Sequence, residues 1–345
     1  MSAPPRVLLV ADAGPAVGGG HVMRCLTLAG ALTRAGADCA FAATPEAAGL
    51  LDGFAGEAIR RFAAPPGDPA ALCALAAQAA RTWGADFAVL DHYGAGRAED
   101  AAMRAAAGRL LAIEDLRRRR DCDLLLDSSL GRRAGDYPGV EALLGPGFAL
   151  VRPEFAAERA ASLARRAASA ETRSVLVSLG LTDVGAITGR VVDVILPLLG
   201  ARRLEVVLGA GAQSLAAMEL LADADPRVGV HVDTQAMAAL IADADMAIGA
   251  GGSSAWERCV LGLPAVTLIL ADNQRENTRA LAAAGAAVAL EVNGALIARL
   301  GEAFQGLAGD AERRARMSQA AATLCDGAGA ERVAARMLAM VAGSA

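Results

Sequence analysis

The sequence has few aromatic residues, no paired cysteines and no long apolar segment. Aromatic residues make up 3% of the chain, and the six cysteines stand singly without a CxxC pair. This spacing argues against a zinc site and against disulfides, so we interpret the cysteines as small packing residues. The apolar run 259–271 contains Gly262 and Pro264 and is shorter than the roughly 20 residues that cross a bilayer. The sequence therefore predicts a globular protein without membrane insertion.

Basic charge is also scarce. The 33 Lys and Arg residues are outnumbered by 38 Asp and Glu residues, giving a net charge of -5. The one concentrated basic run, Arg117 to Arg120, is interpreted as a solvated turn, and no nucleic acid partner is expected. The first apolar run, Val7 to Val10, ends before Asp12 and provides no signal-peptide core, which predicts a cytoplasmic protein. The sequence does not determine an oligomeric state, and a monomer is the expectation.

Strands and helices are predicted to alternate in two series. A chain of 345 residues with 54% hydrophobic residues favours two domains, each with its own core. Ala-rich segments of helical length separate the apolar runs, as a parallel sheet with crossover helices requires. The predicted strands are 6–11, 37–43, 87–90, 110–113 and 124–126 in the first series, and 174–179, 204–208, 228–232, 247–248 and 264–270 in the second.

A charged helix separates the two series. We predict an N-terminal domain over 1–152, an interdomain helix or linker over 153–170, and a C-terminal domain over 171–345. The fold class is α/β, with two doubly wound Rossmann-like domains facing across a cleft. In such domains ligands bind at the carboxyl ends of the strands.

The loop after the first strand carries a candidate catalytic base. Three glycines, Gly18 to Gly20, precede His21 at the start of the first helix. A lone histidine is often a satisfied, partly buried residue, but this one is expected to face the cleft, where an imidazole suits proton abstraction at neutral pH. Asp12 could orient the imidazole, or it could cap a loop. His92 and Tyr93 end another strand and point into the same cleft, where one of them is expected to be structural.

A second glycine-rich loop, Gly249 to Glu257, predicts an anion site. A strand there runs into small residues and opens a helix, so backbone amides and hydroxyls suit a diphosphate. Glu257 could accept hydrogen bonds from a ribose diol, or it could complement the helix dipole. The polar run 271–277 suits a nucleobase or sugar, although helix capping explains part of it. No GxGxxG motif is present, so a nicotinamide cofactor is disfavoured.

Several of these runs together resemble a known family. Residues 20–29, 91–93, 150–155, 249–257 and 271–274 are similar to the UDP-2,4-diacetamido-2,4,6-trideoxy-beta-L-altropyranose hydrolases of pseudaminic acid biosynthesis. That family is similar in fold to the GT-B glycosyltransferases, including the lipid II-forming transferase. The resemblance implies a UDP-sugar substrate, no metal or other cofactor, and inverting attack of water at C1. The products would be UDP and the free sugar, for modification of flagellin or surface glycans.

The resemblance also assigns roles to residues, with His21 as the base. We expect the catalytic group to be His21, Asp12 and Tyr93. The expected substrate-binding residues are Gly19, Gly20, Arg24, Arg152, Gly251, Gly252, Ser253, Ser254, Glu257, Asn273, Gln274 and Asn277. One departure is Leu181, where the family usually has a second glycine, and a side chain there could crowd a phosphate.

Two alternative functions remain at this point. An inverting GT-B glycosyltransferase acting on a UDP-sugar would use the same cleft and base with an acceptor in place of water. A non-catalytic UDP-sugar-binding protein is the other alternative, and the presence of His21 argues against it.

Overall fold

The computed structural model describes residues 3–11, 13–14, 17–55 and 59–343. Its contacts divide the chain into two compact units. The first comprises Met1–Val151 with Ala328–Ala345, and the second comprises Arg152–Gly327.

The first unit is built on a seven-stranded parallel sheet in the order β3-β2-β1-β4-β5-β6-β7. Its strands are β1 (Arg6–Ala11), β2 (Asp38–Ala43), β3 (Arg60–Ala63), β4 (Phe87–Asp91), β5 (Leu110–Ile113), β6 (Leu124–Asp127) and β7 (Glu141–Leu144). Its helices are α1 (Gly20–Arg34), α2 (Pro45–Phe54), α3 (Pro69–Trp83), α4 (Arg97–Ala107) and, from the end of the chain, α13 (Gly329–Ala342).

The second unit is built on a six-stranded parallel sheet in the order β10-β9-β8-β11-β12-β13. Its strands are β8 (Ser174–Ser178), β9 (Arg203–Leu208), β10 (Val228–Val232), β11 (Met246–Ala250), β12 (Ala265–Ile269) and β13 (Val288–Glu291). Its helices are α5 (Pro153–Ala168), α6 (Ile187–Ile195), α7 (Leu215–Ala224), α8 (Met237–Asp243), α9 (Ser254–Val260), α10 (Asp272–Ala283), α11 (Leu296–Gly309) and α12 (Ala311–Leu324).

The first sheet is buried on both faces, which is why its strands are continuous apolar runs. Along β1, Val7 and Leu9 pack into a core that includes residues of α1 and α13. Leu8 and Val10 point to the other face and pack with residues of α3 and α4. The alternation follows from the two-residue period of a strand and requires helices on both sides.

Each sheet has one topological switch point. The strand order reverses between β1 and β4 in the first unit and between β8 and β11 in the second. In doubly wound sheets, ligands bind beyond the carboxyl ends of the strands at such a point. The loops that follow β1 and β11 are the two glycine-rich loops singled out in the sequence.

The predicted strands are confirmed, with ends that shift by one or two residues, but three strands were missed. These are β3, β7 and β13, each of four residues and each at the edge of a sheet. An edge strand is covered less completely, so β3 (Arg-Arg-Phe-Ala) and β7 (Glu-Ala-Leu-Leu) lack the apolar run on which the prediction depends.

The compact units differ from the predicted domain boundaries at two places. Helix α13 returns to the first unit, because its buried Val333, Ala334 and Met337 belong to the same core as α1. Helix α5, predicted as an interdomain connection, belongs to the second unit. Its Arg159 donates to the carbonyl of Cys325 at 3.1 Å, and its Arg166 donates to that of Leu261 at 2.9 Å.

Candidate functional site

At the switch point of the first unit, a buried cluster surrounds His21, the second residue of α1. We name it the His21 cluster; its members are His21, Arg24, Asp91, Tyr93 and Asp115. The Nδ1 atom of His21 lies 2.7 Å from Oδ1 of Asp91, the last residue of β4. The two residues meet because α1 follows β1, and β1 pairs directly with β4. His21 is 5% exposed and Asp91 is 1% exposed, so the pair is shielded from water.

The hydrogen bonds of the cluster determine the tautomer of His21. Arg24 donates from Nε to Oδ2 of Asp91 and from Nη2 to Oδ1, both at 2.5 Å. The same Nη2 is 2.9 Å from Nδ1 of His21, and Nδ1 can make only one of its two close contacts a strong hydrogen bond. Because Oδ1 of the ionised Asp91 can only accept and lies 2.7 Å from Nδ1, we assign the proton to Nδ1, which donates to the carboxylate. This leaves Nε2 with the lone pair that a general base needs.

The charges of the cluster keep Asp91 ionised. Burial by itself would raise the pKa of Asp91, but the Arg24 guanidinium and His21 hold it well below its ordinary value. Burial likewise opposes the charge on Arg24, and the carboxylates of Asp91 and Asp115 raise its pKa above the ordinary value. The guanidinium is therefore engaged by carboxylates, whereas the sequence analysis predicted a substrate contact for it.

Tyr93 completes the cluster. Its ring packs edge-on against the imidazole of His21, with ring centroids 4.5 Å apart and an angle of 88° between the planes. Its hydroxyl donates to Oδ2 of Asp115 at 2.9 Å, and the same oxygen is 3.4 Å from Nη1 of Arg24. Burial and the charge of Asp115 raise the pKa of Tyr93 far above neutrality. The environment thus favours the protonated phenol, whose ring lies against the imidazole and whose hydroxyl is held by Asp115.

Sequence reasoning found His21 but not the carboxylate that holds it. Asp12, the predicted orienting residue, lies outside the described residues, and Asp91 makes the contact assigned to it. The sequence does show carboxylates at the ends of β4 and β5. Only the strand order shows that the carboxylate at the end of β4 lies beside α1. Gly19 and Gly20 form the entry to α1, with Gly19 as its N-cap residue. Nδ1 of His92 accepts from the amide of Gly94 at 2.9 Å.

In the second unit, the loop between β11 and α9 contains Gly251, Gly252, Ser253 and Ser254. A Cβ atom on Gly251 would lie 2.1 Å from Oγ1 of Thr278 on α10, so only glycine fits this close approach. Gly252 is open by comparison, with its nearest neighbour 3.7 Å away. Ser253 is exposed and Ser254 is half-buried. Within the described part of the chain, no backbone group accepts a hydrogen bond from the amides of Gly252 and Ser253.

A buried guanidinium lies beneath this loop. Arg258 is 4% exposed and donates from Nη2 to the carbonyl of Ala250 at 2.7 Å and from Nη1 to Oγ of Ser254 at 3.3 Å. Burial lowers the pKa of Arg258, because its environment compensates the charge poorly. Nothing in the sequence pattern predicts the burial of this residue, because an arginine on a seven-residue helix gives no such signal.

Glu257 lies in the first turn of α9 and is partly buried. It is the fourth residue of α9, one position beyond the residue that closes a capping box. Its Oε1 lies 3.6 Å from Nη2 of Arg152, whose guanidinium also pairs with Glu154 and lies over the ring of Phe155. Burial raises the pKa of Glu257 despite the opposing effect of Arg152. The structure thus brings the predicted Arg152 and Glu257 together.

Helix α10 packs against the same loop. Oε1 of Gln274 accepts from the amide of Leu270 at 3.1 Å, which ties the helix to the end of β12. Asn277 is buried and Asn273 is half-buried.

Leu181 lies in a different loop, where its carbonyl accepts from Gly209 at 3.1 Å, and its side chain is half-buried.

The basic run Arg117 to Arg120 is not a solvated turn throughout. The side chain of Arg120 is 1% exposed and pairs with Asp100 at 2.6 Å, and Arg118 pairs with Glu114 at 3.0 Å. Both carboxylates are buried, and their charges draw the arginines inward. Spacing alone could not reveal these partners.

The residues that the structure describes contain no group of three or more His, Cys, Asp or Glu side chains arranged to hold a metal ion. All six cysteines are buried, as expected of small packing residues. Within the same described residues, we find no helix with the length and apolar character to cross a membrane.

Comparison with known proteins gives one family match. Residues 186–335 match the Glycosyltransferase family 28 C-terminal domain. Two curated relatives are each named UDP-N-acetylglucosamine--N-acetylmuramyl-(pentapeptide) pyrophosphoryl-undecaprenol N-acetylglucosamine transferase. The protein from Salinibacter ruber is 34% identical over 173 residues, covering 49% of this chain and 46% of the relative. The protein from Xanthomonas campestris pv. campestris is 41% identical over 103 residues, covering 28% and 24%. The chain thus spans less than half the length of these relatives.

Solved structures extend the similarity to nearly the whole chain. Acinetobacter baumannii MurG aligns with a TM-score of 0.69 at 19% identity, covering 96% of this chain and 99% of that chain. The S. aureus MnaA-UDP structure aligns with a TM-score of 0.64 at 11% identity, covering 95% of both. The chain therefore has the predicted GT-B-like fold with two Rossmann-like units. These findings support the GT-B glycosyltransferase-like part of the resemblance and do not distinguish the hydrolase family within it.

Proposed function

We propose that the chain is a UDP-sugar glycosyltransferase in which the second unit binds the nucleotide and His21 is the general base. The observation that carries this proposal is the match of residues 186–335 to a glycosyltransferase domain. That segment includes the Gly251 loop, Glu257 and the polar residues of α10. The two curated relatives are named as transferases that use UDP-N-acetylglucosamine, which makes this nucleotide sugar the first donor to test.

In this proposal the loop after β11 binds the diphosphate. Within the described residues the amides of Gly252 and Ser253 have no backbone acceptor, so they would be available to an anion, and Gly252 leaves room for a phosphate to approach the backbone. The positive charge of Arg258 beneath the loop would stabilise the charge that develops on UDP as it leaves. The Glu257 carboxylate would accept hydrogen bonds from the ribose hydroxyls, and the amides of Asn273, Gln274 and Asn277 would help to bind the nucleotide.

The His21 cluster supplies the base. Nε2 of His21 would take the proton of the acceptor hydroxyl as its oxygen attacks the anomeric carbon. The bond from that carbon to the diphosphate then breaks, and its electron pair leaves with UDP. Asp91 would stabilise the imidazolium that forms, since its carboxylate is ionised and 2.7 Å from Nδ1. Direct displacement at C1 inverts the anomeric configuration.

A hydrolase is the second candidate, with water in place of the acceptor. One observation favours it: the runs 20–29 and 91–93, which carry the resemblance to the altropyranose hydrolases, lie outside the segment that matches the glycosyltransferase domain. Those runs contain His21, Arg24, Asp91 and Tyr93, so the residues proposed to activate the nucleophile lie outside the family match. The substrate would then be the UDP-linked diacetamido-altropyranose, hydrolysed to UDP and the free sugar.

The experiment measures UDP release from each donor in water labelled with oxygen-18, with and without an undecaprenyl-pyrophosphate-linked sugar acceptor. Release of UDP that requires the acceptor, with a new glycosidic bond in the product, supports the transferase. Release without acceptor and label in the free sugar supports the hydrolase and overturns the transferase. UDP binding without release under either condition would contradict both and favour a binding protein.

The matched variants are His21→Asn and His231→Asn. His231 also pairs with a carboxylate, Glu205 at 2.8 Å, but lies on the edge strand β10, which β9 and β8 separate from β11. We expect His21→Asn to keep UDP affinity and lose turnover by at least roughly a hundredfold, the scale of a general base. We expect His231→Asn to retain normal turnover. Equal activity of the two variants would remove His21 from the mechanism.

A further inference from the structure

We propose that Arg118 is a positioning residue that holds Tyr93 against His21 by joining two loops at the carboxyl edge of the first sheet. The first loop follows β4 and carries Tyr93, and the second follows β5 and carries Asp115. This proposal rests on the role of His21 as a base, and its test includes a measurement that does not depend on turnover.

Arg118 contacts the backbone of the first loop directly. Its Nη1 donates to the carbonyl of Tyr93 at 2.5 Å and to the carbonyl of Ala95 at 3.1 Å. Two carbonyls of one loop therefore share a single charged donor. Hydrogen bonds from a charged group are stronger than neutral ones, so the main chain on both sides of Gly94 is fixed at this point.

The other end of Arg118 is fixed by Glu114, the residue that follows β5. Nε of Arg118 donates to Oε2 of Glu114 at 3.0 Å. Oε1 of the same carboxylate accepts from the amides of Asp115 at 3.1 Å and Leu116 at 2.6 Å. Glu114 thus fixes the backbone of the second loop, and the pair Arg118–Glu114 joins the two loops.

A further ion pair anchors Glu114 in the interior. Arg120 donates from Nη1 to Oε2 of Glu114 at 3.3 Å and pairs with Asp100 on α4 at 2.6 Å. The side chains of Glu114, Arg120 and Asp100 are 0 to 1% exposed, whereas that of Arg118 is 30% exposed. Removing Arg118 therefore leaves the buried pairs intact, and the fold should survive the change.

The consequence concerns the orientation of the base. Tyr93 touches His21 with its ring and Asp115 with its hydroxyl, so it bridges the two loops through side chains as Arg118 does through the backbone. When the main chain of Tyr93 is released, the ring can leave the imidazole, and His21 gains rotational freedom. Other orientations of the imidazole then compete with the one in which Nδ1–H donates to Asp91. The fraction of His21 side chains with a lone pair on Nε2 therefore falls.

The test compares Arg118→Ala with Arg119→Ala and Arg118→Lys. Arg119 is the next residue of the same loop, is exposed and serves as the matched control. Imidazole nitrogen NMR can report the tautomer directly, because the chain has three histidines and the signal of His21 is identified by its loss in His21→Asn. We expect the Nδ1–H tautomer of His21 in the wild type and in Arg119→Ala, and a second tautomer or a broadened signal in Arg118→Ala. Arg118→Lys should give an intermediate spectrum, since one ammonium cannot serve both loops.

Turnover provides the second readout. We expect Arg118→Ala to lower kcat by roughly tenfold or more with the Kd for UDP unchanged, because UDP is bound by the second unit. A folded Arg118→Ala protein with a wild-type His21 spectrum would overturn the proposal, as would equal effects of Arg118→Ala and Arg119→Ala. If no UDP-sugar is turned over, the proposed function fails, and the NMR comparison still decides the role of Arg118.

Discussion

Replacing Asp91 by asparagine tests whether its carboxylate sets the protonation state of His21. The substitution keeps the shape of the side chain but replaces one acceptor oxygen with an NH₂ donor. In the wild type both oxygens accept from Arg24 at 2.5 Å, and Oδ1 also accepts from Nδ1 of His21 at 2.7 Å. An amide that donates toward Nδ1 favours the tautomer with the proton on Nε2, which cannot act as a base.

The expected loss in kcat is large. Where an aspartate that orients a catalytic histidine becomes asparagine, turnover falls by roughly 10⁴-fold, which corresponds to about 5.4 kcal/mol.

Stability should fall too, since breaking a buried ion pair costs about 3–5 kcal/mol. In the variant, Arg24 still has the Asp115 carboxylate as a partner at 3.4 Å. We therefore expect a loss of stability at the lower end of that range. At about 2–4 °C per kcal/mol, the Tm of the variant should drop by roughly 6–12 °C, and the protein remains folded at 25 °C.

The assay follows UDP release at 25 °C, with UDP affinity measured by calorimetry on the same samples. Asp115→Asn is the control, because Asp115 contacts Arg24 and Tyr93 but not His21. We expect Asp115→Asn to lose no more than about tenfold in kcat, the modest scale of a group that does not touch the base. The reasoning is refuted if folded Asp91→Asn stays within tenfold of the wild type, or if the two variants lose activity equally.

The pH dependence of stability follows from the same pair. The pKa of Asp91 is depressed in the folded state, so its stabilising contribution is complete above the unfolded value of about 3.9 and is lost as the pH falls through the folded pKa. The difference in Tm between the wild type and Asp91→Asn should therefore shrink on acidification below about pH 4. A difference that grows on acidification would contradict the assigned ion pair.

Three further predictions concern the second unit and the thiols. Glu257→Ala should weaken UDP binding by roughly tenfold or more with a smaller effect on kcat, since a ribose contact is uniform binding; unchanged calorimetric affinity would contradict that contact. Gly251→Ala should lower the Tm and weaken UDP binding, because its Cβ would meet a threonine hydroxyl of α10 at 2.1 Å. Gly252→Ala is the matched control, and equal Tm values for the two variants would refute the steric argument. Burial raises the pKa of Cys39 to about 11, so a thiol reagent at pH 8 should label the native protein slowly and all six cysteines after denaturation.

Much of the fold follows from short-range pattern. The central strands are buried on both faces and therefore consist of continuous apolar residues, which identifies them without a structure. The glycine loops after β1 and β11 also stand out, because small residues at a strand end permit the close approach that Gly251 shows. The edge strands β3 and β7 are covered less completely and leave no such pattern in the sequence.

The candidate site likewise has residues that local sequence predicts and contacts that only the tertiary structure shows. The sequence by itself identified His21 by its position at a helix start, and Glu257 by its distance from a glycine-rich loop. Only the tertiary structure decided which carboxylate holds His21, because Asp91 lies 70 residues away and reaches it through the pairing of β4 with β1. It also decided that Arg118 and Arg120 turn inward, since their partners lie on other elements. Local sequence determines which residues can carry charge, whereas the strand order determines which charges meet.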